Sequence, residues 1–536
     1  MTHQRQQASP NGRNNWEFMS KDLITRRNHL LADALKRAKE VSKGGVVRSA
    51  DLDRGVRERL VSASFLTEVM RGWYLLTSPA GAGTTTLWYS NYWEFIRQYL
   101  SDRFGDGYCL SAESSLDVYA AQNIISQQLI VLTKKPSNQS IELLHSTSLM
   151  LYCDEKNFPE TIVEKNGLNL FPLPESICRA TPTYFQNSSL NAEICLKLIP
   201  SAAEISRVLL TIQSQAASNR IIGAYQRLGD QKRADQVMQD LAAAGLSISP
   251  QDPFDKHPLY LGNYERLTSP YSGRIRAMWE SMRPVVIEHF PKPPLNPDSQ
   301  KSLRIIEKLY NQDAYHSLSI EGYQVTEDLI LNIKEGTWNP DTEKSDNEQR
   351  NALAAKGYLG AFRSVFESVI TTTKGENPGK VFANDLQKWY RELFIPLVQA
   401  GLIAASDLAG YRNHPVYISG SRHVPPPKDA VLDSMDTLEQ LLMSEPDPAV
   451  RAVLGHFIFV YIHPYMDGNG RIGRFLMNLM LVSGGYNWTV VRTSERARYM
   501  ASLETASTQG RIDEFSKFIA SEMDYWKNEI SKLNVT

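Results

Sequence analysis

The 536-residue chain contains little cysteine and no excess of charge of either sign. Its four cysteines are scattered without C-x-x-C spacing, so the sequence indicates neither a zinc site nor a disulfide framework. Lysine and arginine total 58 against 59 aspartate and glutamate, a balance that gives no overall sign of a nucleic-acid or membrane partner. No run of ~18 apolar residues is present, and the first residues lack the apolar segment of a signal peptide. We therefore predict a cytoplasmic protein with no membrane partner.

The N-terminal part of the chain is predicted to hold a winged-helix domain at residues 21–80, preceded by a disordered polar tail at residues 1–20. The apolar residues of DLITRRNHLLADALKRAKEV follow helical spacing. Ser49 is placed to cap a second helix, and FLTEVMRGWYLLTSP has the pattern of a hairpin with strands at about 65–70 and 73–77. Two helices followed by a two-stranded wing are the elements of a winged-helix module.

Residues 81–245 are predicted to form a small α+β domain, because short strands such as QLIVLTKK alternate with helices such as KRADQVMQDLAAAG. The runs RGWYLLTSP, YCLSAESSLDVYA and QLIVLTKK resemble the AbiEi-type antitoxin and regulator family over roughly residues 25–245. That resemblance implies a transcriptional repressor with DNA as partner. The second helix would then present three basic side chains to the DNA backbone, Arg54, Arg57 and Arg59. The alternative is a scaffold that presents the second half of the chain to its target.

A proline-rich junction is predicted at residues 246–300, where nine prolines argue against long uninterrupted helices. Residues 301–536 read as mainly helical, so the predicted fold class is mainly α, preceded by the winged-helix and small α+β domains. The periodic segments lie near 302–313, 324–335, 348–373, 382–399, 429–443, 447–462, 470–484 and 494–527.

The stretch HPYMDGNGRIGR, residues 463–474, concentrates anion-binding chemistry between two predicted helices. Glycines at 468 and 470 let backbone N–H groups, and the first turn of the new helix, face one bound anion. Arg471 and Arg474 are three residues apart, so both can project from one helix face toward bound oxygens. The stretch therefore predicts a phosphate site.

Two further side chains give this site its chemistry. Asp467 is placed to hold a Mg²⁺ that neutralises phosphate charge, and His463 is placed to accept a proton from an attacking hydroxyl. Each feature alone has an ordinary structural explanation, as a core histidine, a D-G-N-G turn or a solvated arginine pair. Their convergence within twelve positions favours the functional interpretation.

The pattern H-P-[FY]-x-D-G-N-G-R-x-x-R is the signature of the Fic family, and the chain is identified by it as a member over roughly residues 300–530. The resemblance implies a C-terminal all-helical Fic domain that transfers AMP from ATP to a protein hydroxyl and releases pyrophosphate. It implies that His463 is the general base, that Asp467 carries Mg²⁺ and that Asn469 and the loop amides cradle the α-phosphate. The implied phosphate-binding run is Asp467, Gly468, Asn469, Gly470, Arg471, Ile472, Gly473 and Arg474.

Two further segments acquire roles from the same resemblance. The insert VYISGSRHVPPP fits the family's flap, a β-hairpin that docks the target segment by strand addition. The implied docking residues are Val416, Tyr417, Ile418, Ser419 and Gly420. In ERARYM, the pair Tyr499-Met500 stands where the family often carries two tyrosines against the adenine.

An inhibitory motif is implied by SLSIEG, which contains Ser317, Glu321 and Gly322. In the resembling subclass this glutamate pairs with the second arginine of the signature, here Glu321 with Arg474, and forces ATP into an unreactive pose. The same glutamate aligns a water for removal of AMP in some relatives, and dimers are common in the subclass. We therefore expect an auto-inhibited enzyme, with reverse hydrolysis and a homodimer as further expectations.

Two alternatives to AMP transfer are left open by the sequence. In the first alternative, the chain is a DNA-binding regulator or antitoxin-like protein whose Fic half senses nucleotide or modifies only itself. A different transferred group, such as UMP, phosphate or phosphocholine, is the other alternative.

Overall fold

The computed structural model describes residues 11–78, 85–262, 264, 266–294, 298–338 and 346–532. Within them the chain divides into two compact units. The first comprises residues up to 110, 126–169 and 419–421, and the second comprises 111–125, 170–418 and 422 onward. No helix in these described stretches combines the length and the apolarity that a membrane span requires.

The described residues of the first unit contain three α-helices and nine short strands, the last of which ends one residue beyond the unit. The helices are α1 (Asn11–Val41), α2 (Arg54–Ser62) and α3 (Thr85–Phe104). The strands are β1 (Val46–Arg48), β2 (Leu66–Met70), β3 (Trp73–Leu76), β4 (Tyr108–Leu110), β5 (Gln128–Thr133), β6 (Gln139–Glu142), β7 (Ser148–Cys153), β8 (Val163–Lys165) and β9 (Leu168–Leu170).

The strands of the first unit form three sheets. Strands β1, β3 and β2 form an antiparallel sheet in that order, with Val46 opposite Leu75 and Leu66 opposite Leu76. A second sheet has the order β4-β5-β7-β6, and its central pair β5 and β7 is parallel. Strands β8 and β9 form a two-stranded sheet. The predicted hairpin strands are present, and β1 adds a third strand that the sequence did not signal.

The predicted disordered tail is wrong in part. Residues 1–10 lie outside the described residues, but α1 already begins at Asn11. The start of the predicted α+β domain, residues 81–84, also lies outside them. The winged-helix interpretation itself stays a prediction.

The second unit is helical throughout its described elements. Its first seven helices are α4 (Ala112–Tyr119), α5 (Leu173–Arg179), α6 (Pro182–Asn187), α7 (Ser189–Leu198), α8 (Ala202–Ile212), α9 (Gln215–Arg227) and α10 (Gln231–Ala243). The next five are α11 (Pro270–His289), α12 (Ser299–Ile320), α13 (Glu327–Glu335), α14 (Asp346–Thr373) and α15 (Pro378–Gln399). The last five are α16 (Lys428–Ser444), α17 (Pro448–Ile462), α18 (Asn469–Ser483), α19 (Arg496–Gln509) and α20 (Asp513–Lys532).

These helices correct two sequence-based boundaries. Part of the predicted α+β domain, residues 111–125 and 170–245, belongs to the helical unit. The predicted absence of long helices in 246–300 is wrong, because α11 spans twenty residues there. Its first residue is Pro270, and proline suits this position because the N–H of a first helical residue has no hydrogen-bond partner within the helix. The helix also contains Pro284 in its interior. Trp279 of α11 is buried in the same core as α17, so this segment is part of the helical unit.

Helices α17 and α18 form the centre of that core and position the site. The sequence PAVRAVLGHFIFVYI is apolar almost all round, and nearly every side chain of α17 is buried. Asp447 caps its start by accepting hydrogen bonds from the N–H groups of Ala449 and Val450. A six-residue turn then leads into α18, whose residues 471–482 are all buried. The turn is therefore held between two helices fixed by packing.

Candidate active site

The turn between α17 and α18 has an unusual backbone at both ends. His463 follows the last residue of α17 in the left-handed conformation, with φ 53° and ψ 60°, and its N–H donates to Phe459 O over 3.0 Å. Gly468 precedes α18 with φ 84°, and a Cβ added there would lie 2.8 Å from Phe394 Cε2. Position 468 thus requires glycine both for its φ and for its close approach to the Phe394 ring.

Asn469 shapes this turn from within. Its Oδ1 accepts the Tyr465 N–H over 2.9 Å, and its Nδ2 donates to Tyr465 O over 2.8 Å. The side chain is buried and both amide atoms are engaged, so it is not directed at an α-phosphate as the sequence led us to expect. In the structure it fixes the turn between α17 and α18.

His463 is held as a base beside the anion cradle, a name used here for the N-terminus of α18 together with Arg471 and Arg474. Its Nδ1 lies 3.2 Å from Val460 O, which assigns the ring proton to Nδ1 and leaves the Nε2 lone pair available. Burial lowers the pKa of His463, and the cation of Arg412 lowers it further, whereas the Val460 contact and the carboxylates of Glu321 and Asp467 act in the opposite direction. The neutral imidazole is therefore the form present at neutral pH.

The first turn of α18 brings two buried arginines to its N-terminus. Arg471 is fully buried, and its guanidinium lies over the rings of Tyr323 and Phe394 at 5.3 and 5.1 Å. Among the described residues, Nε and Nη1 of Arg471 and Nη1 of Arg474 have no hydrogen-bond partner. Buried donors without partners are rare in folded proteins, so these three nitrogens are suited to anion oxygens.

Gly470 supplies the space for such an anion. A Cβ added there would collide with Glu321 Oε1 and lie 3.1 Å from Arg474 Nη1. Two further residues of the predicted phosphate run, Ile472 and Gly473, make other contacts in this structure. Ile472 is buried and its N–H donates to Gly468 O, while Gly473 packs against Val460 and His456. Their assignment to phosphate binding stays a prediction.

Asp467 stands at the solvent side of the cradle. Its side chain is 55% exposed, and Oδ1 lies 3.1 Å from Arg471 Nη2 and accepts the Gly468 N–H over 2.5 Å. Within the described residues, no three His, Cys, Asp or Glu side chains cluster as a metal site. An exposed carboxylate beside unpartnered guanidinium nitrogens fits a Mg²⁺ that takes its remaining ligands from substrate phosphates and water.

Arg474 is already bound by the motif that the sequence identified as inhibitory. Its Nη2 donates to Glu321 Oε1 over 2.7 Å and to Ser317 O over 3.1 Å, and its Nε donates to Ser317 Oγ over 2.9 Å. Although burial lowers the pKa of Arg474, Glu321 raises it on balance. Glu321 follows the last residue of α12, and Gly322 turns the chain away with φ 90°. The predicted contact between Glu321 and Arg474 is present.

Beside this pair opens a cleft with a volume of about 340 Å³. Glu321 and Asp467 lie on its wall, which also includes side chains that the sequence analysis missed, Asn347, Arg350 and Asn351 of α14. Polar residues at the start of a helix form no motif, so no sequence signal distinguished them.

The predicted adenine pair is not arranged to receive a base. Tyr499 is 2% exposed, its hydroxyl lies 2.8 Å from His456 Nε2, and its ring lies between Phe515 and Phe518. Met500 is partly buried and packs against the same core. The assignment of Tyr499 to a nucleobase pocket stays a prediction, and in this structure its ring packs against two residues of α20.

The predicted flap does not form a hairpin in the structure. No strand is assigned to Val416, Tyr417 or Ile418, and Ser419 and Gly420 form a turn. The one bridge in this part of the described chain joins His423 to Ile124. Residues 416–418 are therefore outside the strands of the described chain.

Residues 382–481 match the model of the Fic/DOC family. This chain is similar to the Fic/DOC family over that range. Protein adenylyltransferase Fic of Drosophila sechellia and that of Drosophila melanogaster are each 32% identical to it over 231 residues, 42% of this chain and 42% of each relative. The chain thus matches less than half the length of these curated relatives. A solved fragment of Fic-1 from C. elegans aligns with a TM-score of 0.36 and 18% identity, covering 67% of this chain and 96% of that one.

The match to the Fic family spans the helices that build the cradle. It begins in α15, includes the flap segment, α16 and α17, and ends in α18. Helix α12, which brings Ser317 and Glu321 to Arg474, lies before the matched range. The matched range therefore contains His463, Arg471 and Arg474, and a helix that precedes it supplies the carboxylate that contacts Arg474.

Proposed function

We propose that this chain is a protein adenylyltransferase that transfers AMP from ATP to a Ser, Thr or Tyr hydroxyl of a protein. The observation that carries the proposal is a neutral His463 at the start of the turn that leads into α18, a helix that carries buried, unpartnered guanidinium nitrogens. A base next to a cradle for several phosphate oxygens suits attack of a hydroxyl on a nucleotide. The names of the two Drosophila relatives support the same reaction.

In the proposed reaction, Nε2 of His463 takes the proton of the target hydroxyl as its oxygen attacks the α-phosphorus of ATP. The new bond joins that oxygen to phosphorus, and the bond from the α-phosphorus to the bridging oxygen of the β-phosphate breaks. Pyrophosphate leaves with the bond's electron pair. Arg471 and Arg474 hold the phosphate charge in a buried setting where such contacts are strong, so catalysis is chiefly positioning and charge stabilisation.

Asp467 is the residue that would hold Mg²⁺. The ion, when bound, would neutralise phosphate charge and favour departure of pyrophosphate. The Arg471 guanidinium beside Asp467 keeps this carboxylate oriented toward the cradle. A loss of labelling after removal of divalent cations by chelation, restored by added Mg²⁺, tests this assignment.

We also propose that Glu321 inhibits the enzyme by occupying Arg474. The carboxylate takes one guanidinium nitrogen in the space that Gly470 leaves open for an anion. An ATP bound against this carboxylate would meet like charge, so its phosphates would be displaced from the reactive pose. Reverse hydrolysis of the AMP ester by water aligned on Glu321 is an extension of the same proposal.

Labelling with α-³²P-ATP and Mg²⁺ tests the transfer directly. We expect label on protein with Glu321→Gly and none with Glu321→Gly/His463→Ala, while Glu321→Gly/His257→Ala, which changes an exposed histidine, labels like Glu321→Gly. γ-³²P-ATP should give no label, and competition by unlabelled UTP identifies a uridylyl donor. Absence of α-label from Glu321→Gly, on itself and in cell extract, despite bound ATP would contradict the proposal.

DNA binding by the N-terminal unit is a second proposal. Arg54 projects from α2 with its side chain 84% exposed and paired only with Glu58, a suitable phosphate contact. Arg57 and Arg59 instead donate to the carbonyls of Ser49 and Leu30, so Arg54 carries most of this proposal. If the chain is chiefly a regulator, His463→Ala should leave salt-dependent DNA binding unchanged and Arg54→Ala should weaken it.

We also propose that the chain forms a homodimer. Sedimentation analysis by ultracentrifugation tests this proposal.

A further inference from the structure

Arg412 connects the turn of His463 to the flap loop, defined here as residues 412–427. Its backbone N–H donates to Pro464 O over 2.9 Å, and its Nε donates to His463 O over 2.7 Å. Nη1 donates to His414 O over 3.2 Å, and Nη2 donates to Pro426 O. One side chain thus joins the carbonyl of the proposed base to both arms of the flap loop.

The surroundings of Arg412 are unusual for a buried charge. The residue is 5% exposed, and within the described chain it forms no ion pair with a carboxylate. Burial lowers the pKa of Arg412 to about 10, so the guanidinium stays charged at neutral pH. Its partners are backbone carbonyls at the C-terminal end of α17, where the helix leaves acceptors unsatisfied and its dipole favours a cation.

His463 needs such a partner because its backbone is left-handed, a conformation that is strained in a non-glycine residue and persists only where its surroundings hold it. The carbonyls of Ile462, His463 and Pro464 all accept from Arg412. The arginine therefore opposes rotation of the turn that would move the imidazole away from the cradle.

We infer that Arg412 is a positioning residue that fixes the His463 imidazole relative to the flap loop, so that a target hydroxyl docked on the loop reaches Nε2. The inference rests on the proposed function for its consequence in catalysis. The physical linkage of the two loops by Arg412 can be measured without that function. Neither the Fic signature nor the inhibitory motif contains this residue.

Hydrogen exchange tests the linkage itself. In Arg412→Met, we expect amides of 412–427 and 462–469 to exchange at least about tenfold faster than in the wild type, while α15 and α18 stay protected. Arg412→Lys, which keeps the charge but cannot reach all the carbonyls, should fall between the two and serves if the methionine variant does not fold. Arg422→Met changes an exposed arginine of the same loop and should exchange like the wild type. Unchanged exchange in both loops of both Arg412 variants would overturn the inference.

Initial rates of self-labelling in the Glu321→Gly background test the catalytic consequence. A displacement of about 1 Å can cost 10²-fold in rate, so we expect Arg412→Met to label 10- to 100-fold more slowly, with Arg412→Lys partly restored. In Arg412→Met, the increase of the labelling rate with pH should also shift to higher pH, because the Arg412 cation is one of the groups that lower the pKa of His463. A full rate with an unchanged pH profile would overturn the positioning function. Absence of label from the Glu321→Gly parent, with altered exchange in Arg412→Met, would instead count against the proposed function and leave the linkage standing.

Discussion

Arg474 and Glu321 form a hydrogen-bonded ion pair of 2.7 Å across 153 positions of the chain, at the place where we propose that a nucleotide's phosphates bind. Arg474 is 4% exposed in this pair and Glu321 is 27% exposed. The guanidinium is also held by the hydroxyl and the carbonyl of Ser317. The pair can therefore lose its carboxylate without losing the position of the arginine.

A graded series at Glu321 should separate its charge from its hydrogen bond. Glu321→Gln keeps an oxygen that accepts from Arg474 but removes the charge, whereas Glu321→Gly removes both. We expect the rate of α-³²P labelling to rise at least about tenfold in the glycine variant and less in the glutamine variant. Position 321 lies beyond the last helical residue of α12, so glycine there does not interrupt the helix. Equal labelling by wild type and both variants would contradict inhibition by Glu321.

Gly470→Ala should remove the space that the anion needs. The added methyl would collide with Glu321 Oε1 and approach Arg474 Nη1, and in the absence of Glu321 it would occupy the same volume. We expect Glu321→Gly/Gly470→Ala to bind ATP at least about tenfold more weakly than Glu321→Gly in calorimetric titrations. Gly55→Ala in the same background changes an exposed helical glycine with open space around it and controls for loss of a glycine as such. Unchanged affinity in the 470 variant would place the phosphates elsewhere.

Asn469→Ala should destabilise the turn before it affects any ligand. It removes two hydrogen bonds to the Tyr465 backbone and leaves a buried N–H and C=O without those partners. We expect a loss of about 1–3 kcal/mol in the free energy of unfolding, measured by urea denaturation without nucleotide. Asn347→Ala, at the exposed start of α14, should change it by less than about 0.5 kcal/mol. A stability equal to that of the wild type would contradict this structural role and favour a purely ligand-binding function for Asn469.

Acid should destabilise the helical unit through His456. Burial lowers the pKa of His456 to about 4, against about 6.5 in an unfolded chain. Between these values the unfolded chain takes up a proton that the folded chain does not, so the free energy of unfolding falls as the pH falls from about 6.5 to 4. We expect the midpoint of thermal unfolding to depend less steeply on pH in His456→Gln than in the wild type. His423, whose pKa burial also lowers to about 4, should retain part of the slope.

The control for this pH dependence is His257→Gln, which changes an exposed histidine and should keep the wild-type slope. If His456→Gln titrates as steeply as the wild type, the acid sensitivity arises from other groups.

The sequence predicted best where one local signal determined the structure. The apolar run of α17 and the glycines before α18 identify the turn and its two arginines, because these features depend on near neighbours. Helix α11 was missed because its prolines argued against a helix that tertiary packing nevertheless stabilises. The burial of Tyr499 against Phe515 and Phe518 was not predicted, because it depends on where α20 packs.

Arg412 could not have been recognised from the sequence. Its partners are backbone carbonyls, which every residue type possesses, so no spacing of side chains records the contact. The pairing of Glu321 with Arg474 was predicted from family resemblance and not from distance along the chain. Contacts over such separations become visible only once the helices have packed.

Because Glu321 and Arg474 belong to one polypeptide, each meets the other at an effective concentration fixed by the fold. Dilution of the protein does not separate them, unlike an inhibitor supplied by a second chain. A cell that makes few copies of this protein would hold each copy in the same paired state as a cell that makes many. A change in activity would then have to come from a ligand or a contact that alters the fold around α12, and not from the amount of protein.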